Sequence, residues 1–307
     1  MKIKIGIIML LLCVLMGCEP AFQKTLNAGF PNEKIKIGIL LKEQKETQTI
    51  SDSFIDTLLA SGISAEKLEF KVEVLDSNTT QVIDEWINDH VDMVYCIGAY
   101  ATSVASRKLM DTQIPLIFTG FFDDVNFSYI RSDNFRGVYS DISFHQTLEW
   151  IIDLMPKLKV LGIAYRDSDS SKELVKGIKV VAESLGIDVV AADEDYFERA
   201  IEHPLTPYHV IDAFLKIDHA DLSFLRLEDG EYALPIFSLN EAAADESVVA
   251  YQVADLKGLG NQTGKMALRM LLYNASLEDL QNEYPKDRNV IYSEELMKDF
   301  GLKIRKE

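Results

Sequence analysis

From residue 34 onward the chain alternates short, β-branched apolar runs with segments of helical period, and that alternation limits the fold more than any other feature. Residues 34–41 (KIKIGILL) read as a strand, and 51–59 places Phe54, Ile55, Leu58 and Leu59 on one helical face. Residues 69–75 (EFKVEVL) alternate with period two, 82–88 are helical and 92–97 form an apolar strand. Residues 102–110 are helical again, and 115–119 (PLIFT) are the next strand. A βαβαβαβ series builds a doubly wound parallel sheet with helices on both faces. A second series follows, with helix 146–154, strand 160–165, helix 171–185 and strand 188–191. Between the two lies an irregular stretch, 122–143, so the expected class is α/β in two lobes. In such sheets ligands bind outside the carboxyl ends of the strands, which points to the loops after Leu41, Ile97, Thr119 and Tyr165.

At 307 residues, with 48% hydrophobic and 26% charged, the chain can bury a sizeable core in either one large domain or two lobes. Its formal charge of −18 repels a duplex that is itself densely anionic, so nucleic acid is not an expected partner. Three cysteines cannot make a disulfide framework.

The N-terminus explains two of them. Lys2 and Lys4 precede an apolar run, Ile5 to Leu15, that is too short to span a bilayer and reads as the core of an export signal. It ends in Leu15-Met16-Gly17-Cys18, which resembles the lipobox of bacterial lipoproteins. That resemblance implies that 1–17 is a signal peptide and that Cys18 becomes the lipidated first residue of the mature chain. A diacylglyceryl group there would hold a soluble body at a membrane face. Cys13 leaves with the signal, and Cys96 sits in an apolar strand-like run that points to burial. Residues 18–33, with Pro20, Asn27, Gly29 and Pro31, have no sustained period and read as a flexible tether.

Signals for catalysis are missing. There is no Gly-x-Ser-x-Gly elbow and no Walker motif. Gly258, Gly260 and Gly264 look like a dinucleotide fingerprint but are wrongly spaced and lie late in the chain. The histidines (His90, His145, His203, His209, His219) make no pair with zinc spacing on one helix, so no metal and no cofactor is expected. The chain is not read as an enzyme.

Binding signals are present. After strand 160–165 come Ser168, Ser170 and Ser171, and Ser170-x-x-Glu173 has the pattern of a capping box. The N–H groups and positive dipole end of such a helix, with three hydroxyls, make a seat for a carboxylate, although an ordinary N-cap uses the same residues. Tyr100, Ala101 and Thr102 repeat the arrangement after another strand, with Thr102 or Ser103 as cap and Tyr100 as a stacking platform. Asp123-Asp124, beside Phe121-Phe122, offers negative charge next to aromatic surface, as an ammonium group would require; a plain turn is the other reading.

The motifs Ile37-Gly38-Ile39, Ile114-Pro115-Leu116-Ile117-Phe118, Phe122-Asp123-Asp124-Val125, Gly137-Val138-Tyr139-Ser140-Asp141, Leu161-Gly162-Ile163-Ala164-Tyr165 and Asn261-Gln262-Thr263-Gly264-Lys265-Met266-Ala267 carry a resemblance in their order and spacing. They are similar to those of the ABC-transporter substrate-binding lipoproteins of the tryptophan/tyrosine type, from about residue 35 to 302. The resemblance implies two Rossmann-like lobes of the type I periplasmic-binding-protein fold, with a small ligand held in an interlobe cleft. It places lobe 1 at 34–141 and 248–275, and lobe 2 at 142–247 and 276–307. It implies an extracytoplasmic, lipid-anchored receptor that binds an amino acid or similar molecule for an ABC permease with a cytoplasmic ATPase. Carried over position by position, the ligand-lining residues are Tyr100, Ala101, Thr102, Asp123, Asp141, Ser168, Ser170 and Ser171.

One departure stands out. The family has a strand, a loop with an Asp, a helix and another strand near the end of lobe 2. Here 220–225 (ADLSFL) reaches 234–238 through eight residues, too few for a parallel crossover. Either the two strands form a hairpin around Asp229-Gly230 or one has left the sheet, and lobe 2 is expected to be shortened. That keeps open an alternative, a non-transport envelope sensor or interaction lipoprotein on the same scaffold.

Overall fold

The computed structural model describes residues 34–120, 135–200, 210–227, 229–273 and 275–304. The leader, Cys18, the tether and the Asp123-Asp124 pair lie outside the described residues. The described chain divides into two compact units, one holding 34–119, 135–137 and 260–281, the other 120, 138–259 and 282–304.

The first unit is built on strands β1 (Ile35–Leu41), β2 (Leu68–Val74), β3 (Met93–Ile97), β4 (Leu116–Thr119) and β5 (Phe135–Val138), in the order β2-β1-β3-β4-β5. β1 pairs in parallel with β2 and β3, and β3 with β4. Helices α1 (Lys45–Leu59), α2 (Thr79–Asn88) and α3 (Ala99–Leu109) connect the first four strands. β1 and β3 are buried along nearly their whole length, which is why β3 reads as a continuous apolar run and β1 as one broken only by Lys36 and Gly38. β2 forms the edge, and there Val72 and Val74 are exposed. β5 lies inside the stretch read as irregular, because four residues (FRGV) are too few to display a period.

The second unit contains β6 (Val160–Tyr165), β7 (Asp188–Asp193), β8 (Ala213–Lys216), β9 (Ile236–Ser238), β10 (Ala250–Ala254) and β11 (Arg288–Tyr292), in the order β11-β10-β9-β8-β6-β7. Its strand pairs are parallel except for β11, which runs antiparallel to β10. Its helices are α4 (Phe144–Leu154), α5 (Asp169–Ser184), α6 (Glu194–Ala200), the start of α7 (Leu256–Tyr273) and α8 (Glu294–Asp299). Successive strand residues feed opposite faces of the sheet. Ile163, Leu215 and Phe237 join one core cluster with Leu148 and Ile178, while Ala164, Phe214 and Ile236 join another with Phe197 and Leu225.

Here the structure corrects the reading of 220–225 as a strand. The strand is β8, fully buried but only four residues long. Residues 220–225 end in a 3-10 turn, Ser223–Leu225, and their apolar pattern comes from Ala220, Leu222 and Leu225 packing under the sheet from a loop. A small bridge between Arg226 and Tyr232 does close around Asp229-Gly230, with Gly230 at φ 92°, but it joins loop segments and not the two strands. The β8–β9 crossover therefore spans 217–235, with no α-helix among its described residues, and is long enough for a parallel connection.

A further correction concerns 248–275, assigned to the first lobe from sequence. β10 is hydrogen-bonded into the second sheet, and the chain joins the first unit only from Gly260. Two glycines of α7, Gly260 and Gly264, serve helix packing. A Cβ on Gly260 would lie 2.3 Å from the Ile50 carbonyl oxygen, and one on Gly264 would lie 2.8 Å from Thr57 Cβ, so α7 approaches α1 at backbone contact. Asn261, between them, accepts from Ser53 Oγ (2.8 Å) and Thr57 Oγ1 (2.9 Å).

Candidate functional site

In the first unit the carboxyl edge is shaped by the end of β3. Gly98 takes φ 102°, a conformation that favours glycine, and turns the chain into α3. Its N–H donates to the Thr119 carbonyl (2.8 Å), which fastens the turn to the end of β4. The helix cap is Gly98, not Thr102 or Ser103 as the sequence suggested: Thr102 is buried within the first turn and donates its hydroxyl back to the Gly98 carbonyl (3.0 Å). The first turn of α3 thus has no side-chain cap and no acidic residue, while Arg107 and Lys108 sit at its far end. Of the three residues singled out here, Ala101 and Thr102 are fully buried and Tyr100 is 68% exposed. A buried hydroxyl chain lies behind this edge, with Tyr95 Oη 2.8 Å from Thr119 Oγ1 and Thr119 Oγ1 2.6 Å from Thr263 Oγ1. Burial pushes the Tyr95 hydroxyl pKa well up, so it stays neutral.

In the second unit the end of β6 leads to the three serines. Ser168, with extended backbone, is the cap of α5 and accepts from the Ser171 N–H (3.1 Å), so the cap stands two residues before the predicted Ser170-x-x-Glu173 box. Glu173 instead pairs with Lys176 on the exposed face. Ser168 and Ser170 are exposed, whereas Ser171 is 4% exposed and donates to Asp218 Oδ2 (2.6 Å). The same carboxylate accepts from the Arg166 N–H (3.1 Å) and, through Oδ1, from the Ala220 N–H (2.9 Å). Asp218, in the loop after β8, places a negative charge at the N-terminus of α5, and Asp169 adds another in its first turn. One of the three serine hydroxyls expected to meet a ligand carboxylate, that of Ser171, is thus engaged by the protein's own Asp218. Asp218 was missed because β8 was missed; once the strand is placed, the first Asp after its carboxyl end is the signal that would have found it.

Asp141 lines a cavity of about 380 Å³ whose wall lies entirely within the second unit. Ser140 and Ser143 flank it, the loop after β9 contributes Leu239 and Asn240, and Leu174, Leu259 and Gln252 close it from α5, α7 and β10. Ser143 is committed elsewhere, in a complete capping box with Gln146 at the start of α4. Tyr284, also in the wall, packs on Tyr139 with ring centroids 5.1 Å apart. The volume suits a small molecule, and the wall combines an apolar majority with a few convergent polar groups. Among the described residues no cluster of His, Cys, Asp and Glu could hold a metal ion, and no helix is long and apolar enough to cross a membrane.

Comparison with known proteins agrees with this architecture. Residues 34–307 match the profile of the family described as ABC transporter substrate binding protein. A tyrosine-binding protein of Clostridioides difficile (strain R20291) is 25% identical over 308 residues, covering 93% of this chain and 87% of that protein. The ligand-free, open structure of a substrate binding protein with adhesive properties from Clostridium difficile superposes with a TM-score of 0.67 at 21% identity, covering 88% of this chain and 96% of that one. A domain from Streptococcus pneumonia in complex with L-Trp gives 0.51 at 19% identity, covering 89% and 96%. These structural likenesses bear on the fold.

Proposed function

The chain belongs to the ABC transporter substrate binding protein family, and from that premise we propose that it is an extracytoplasmic receptor, tethered by lipid on Cys18, that delivers an amino acid to an ABC permease driven by a cytoplasmic ATPase. The observation that carries this reading is the start of α3. Uncapped N–H groups at the carboxyl edge of a parallel sheet, with no acid in the first turn, favour an anion such as a carboxylate by about 0.3–2 kcal/mol. In the second unit the balance is reversed. Asp141 in the cavity wall and Asp218 at α5 suit the ammonium group, with the exposed hydroxyls of Ser168 and Ser170 as further contacts and Ser171 holding Asp218 in place. Tyr100, exposed beside the α3 terminus, offers a ring for stacking, and Ala101 and Thr102 contribute backbone. Asp123, outside the described residues, stays among the proposed ligand contacts. The tyrosine-binding relative and the L-Trp complex favour an aromatic amino acid. Calorimetric titration of an amino-acid library into protein stripped of co-purified ligand tests this. Binding that weakens at least tenfold in Asp141→Asn is expected, and no heat from any amino acid would defeat it.

A second reading, an envelope sensor or interaction lipoprotein without transport, draws on the helix-free β8–β9 crossover. Co-purification with a permease would exclude it.

A further inference from the structure

The cavity beside Asp141 contains a side chain that the protein leaves unsatisfied. Gln252, on β10, is 7% exposed, and its amide oxygen has no hydrogen-bond partner among the described residues. Such a position in a sheet is ordinarily filled by a β-branched aliphatic residue, and a buried amide without a partner is destabilising. Gln252 forms part of the wall of the cavity and also of a separate polar groove that includes Trp150 and Arg288. Around it the cavity is largely apolar, with Phe144, Leu174, Leu239 and Leu259 in the wall, while Asp141 and Glu241 supply the negative charge. A purely apolar ligand would leave the amide oxygen unpaired, and an anionic group would face two carboxylates. A neutral donor on an apolar body satisfies both conditions.

We infer that Gln252 determines specificity: the cavity takes a ligand whose apolar ring carries one neutral hydrogen-bond donor, a phenol O–H or an indole N–H, and the Gln252 amide accepts from it. This rests on the proposed role as an amino-acid receptor. A site that hydrogen-bonds a ligand group rejects the analogue lacking it far more strongly than an apolar pocket rejects a change of size.

The test uses calorimetric titration of L-tyrosine, L-tryptophan and L-phenylalanine into the refolded, ligand-free protein and into Gln252→Met and Gln252→Glu. The wild type is expected to bind tyrosine or tryptophan at least about tenfold more tightly than phenylalanine. Gln252→Met should bring that ratio to within about twofold, and Gln252→Glu, which keeps an acceptor, should preserve it. A wild-type ratio retained in Gln252→Met overturns the inference alone and means that water satisfies the amide. Failure of the wild type to bind any of the three while another amino acid binds also overturns the inference alone, and failure with every amino acid overturns the receptor reading together with it. Should Gln252→Met not fold, Leu174→Phe fills the same cavity from α5 and is expected to weaken tyrosine binding at least tenfold. Unchanged affinity in that variant also overturns the inference.

Discussion

Lys216 and Asp245 form an ion pair whose two ends stand in very different surroundings, and the difference predicts an asymmetry on mutation. The Lys216 side chain is 5% exposed at the end of β8, whereas that of Asp245 is 48% exposed. Asp245→Asn leaves an ammonium group in the interior with its countercharge removed, which costs about 3–5 kcal/mol. Lys216→Met leaves a half-exposed carboxylate that water can solvate, and replacing a buried ion by an apolar chain of similar volume changes stability by no more than about 1 kcal/mol or improves it. At a urea m-value of about 2 kcal/mol/M, the first variant should unfold roughly 2 M earlier and the second close to wild type. Trp150, stacked edge-on against Phe237 of β9 at 5.8 Å, reports on this unit when Trp86 is changed to Phe. The pH dependence follows in sign. Burial raises the Asp245 pKa, but hydrogen bonds from Lys216 and Ser247 outweigh it and hold the carboxyl below its usual range. A depressed pKa contributes stability that is present above the unfolded value, about 3.9, and is lost as pH falls through the folded one. The gap between wild type and Asp245→Asn should therefore be full at pH 7 and close below about pH 3.9. Equal losses in the two variants, or a gap unchanged at pH 2, would refute the reasoning.

Three other outcomes are expected. Gly260→Ala should destabilise the first unit by about 1–3 kcal/mol, since its Cβ would lie 2.3 Å from the Ile50 carbonyl oxygen; Trp86 fluorescence in a Trp150→Phe background reads the shift. Cys96, fully buried in β3 with its thiol pKa driven up by desolvation, should not react with an aromatic disulfide reagent at pH 8 until the protein is unfolded. Asp218→Ala should accelerate amide exchange at Arg166 and Ala220, which lose their acceptor, and leave exchange in β1 unchanged.

How much of this was legible in advance can be judged from single elements. β1 and β3 were plain because they are buried on both faces and read as mostly apolar runs, broken in β1 by Lys36 and Gly38. β5 and β8 were lost because four residues barely establish a period, whereas β9 was placed at 234–238, two residues too long; Ala220, Leu222 and Leu225 imitated a strand by facing the core from a turn. The helix starts at Tyr100 and at the serine cluster could be found because strand ends followed by small polar residues announce them. That the Ser171 hydroxyl is engaged by Asp218, 47 positions away, could not be read from the local pattern.

The βα alternation determined a two-lobed α/β fold by sequence alone, the acidic charge and the late position of the glycine cluster argued against nucleic acid and a dinucleotide, and the ordered motifs carried the resemblance to substrate-binding proteins. Those properties are local or compositional and survive without coordinates. The tertiary structure decided that β10 belongs to the second sheet, that Gly260 and Gly264 are a packing surface against α1, that Asp218 places a charge beside Ser171 of α5, and that the buried Gln252 amide oxygen has no partner among the described residues. Each depends on groups far apart in the chain meeting at hydrogen-bond or van der Waals distance, and such encounters leave no periodic trace in the residues that make them.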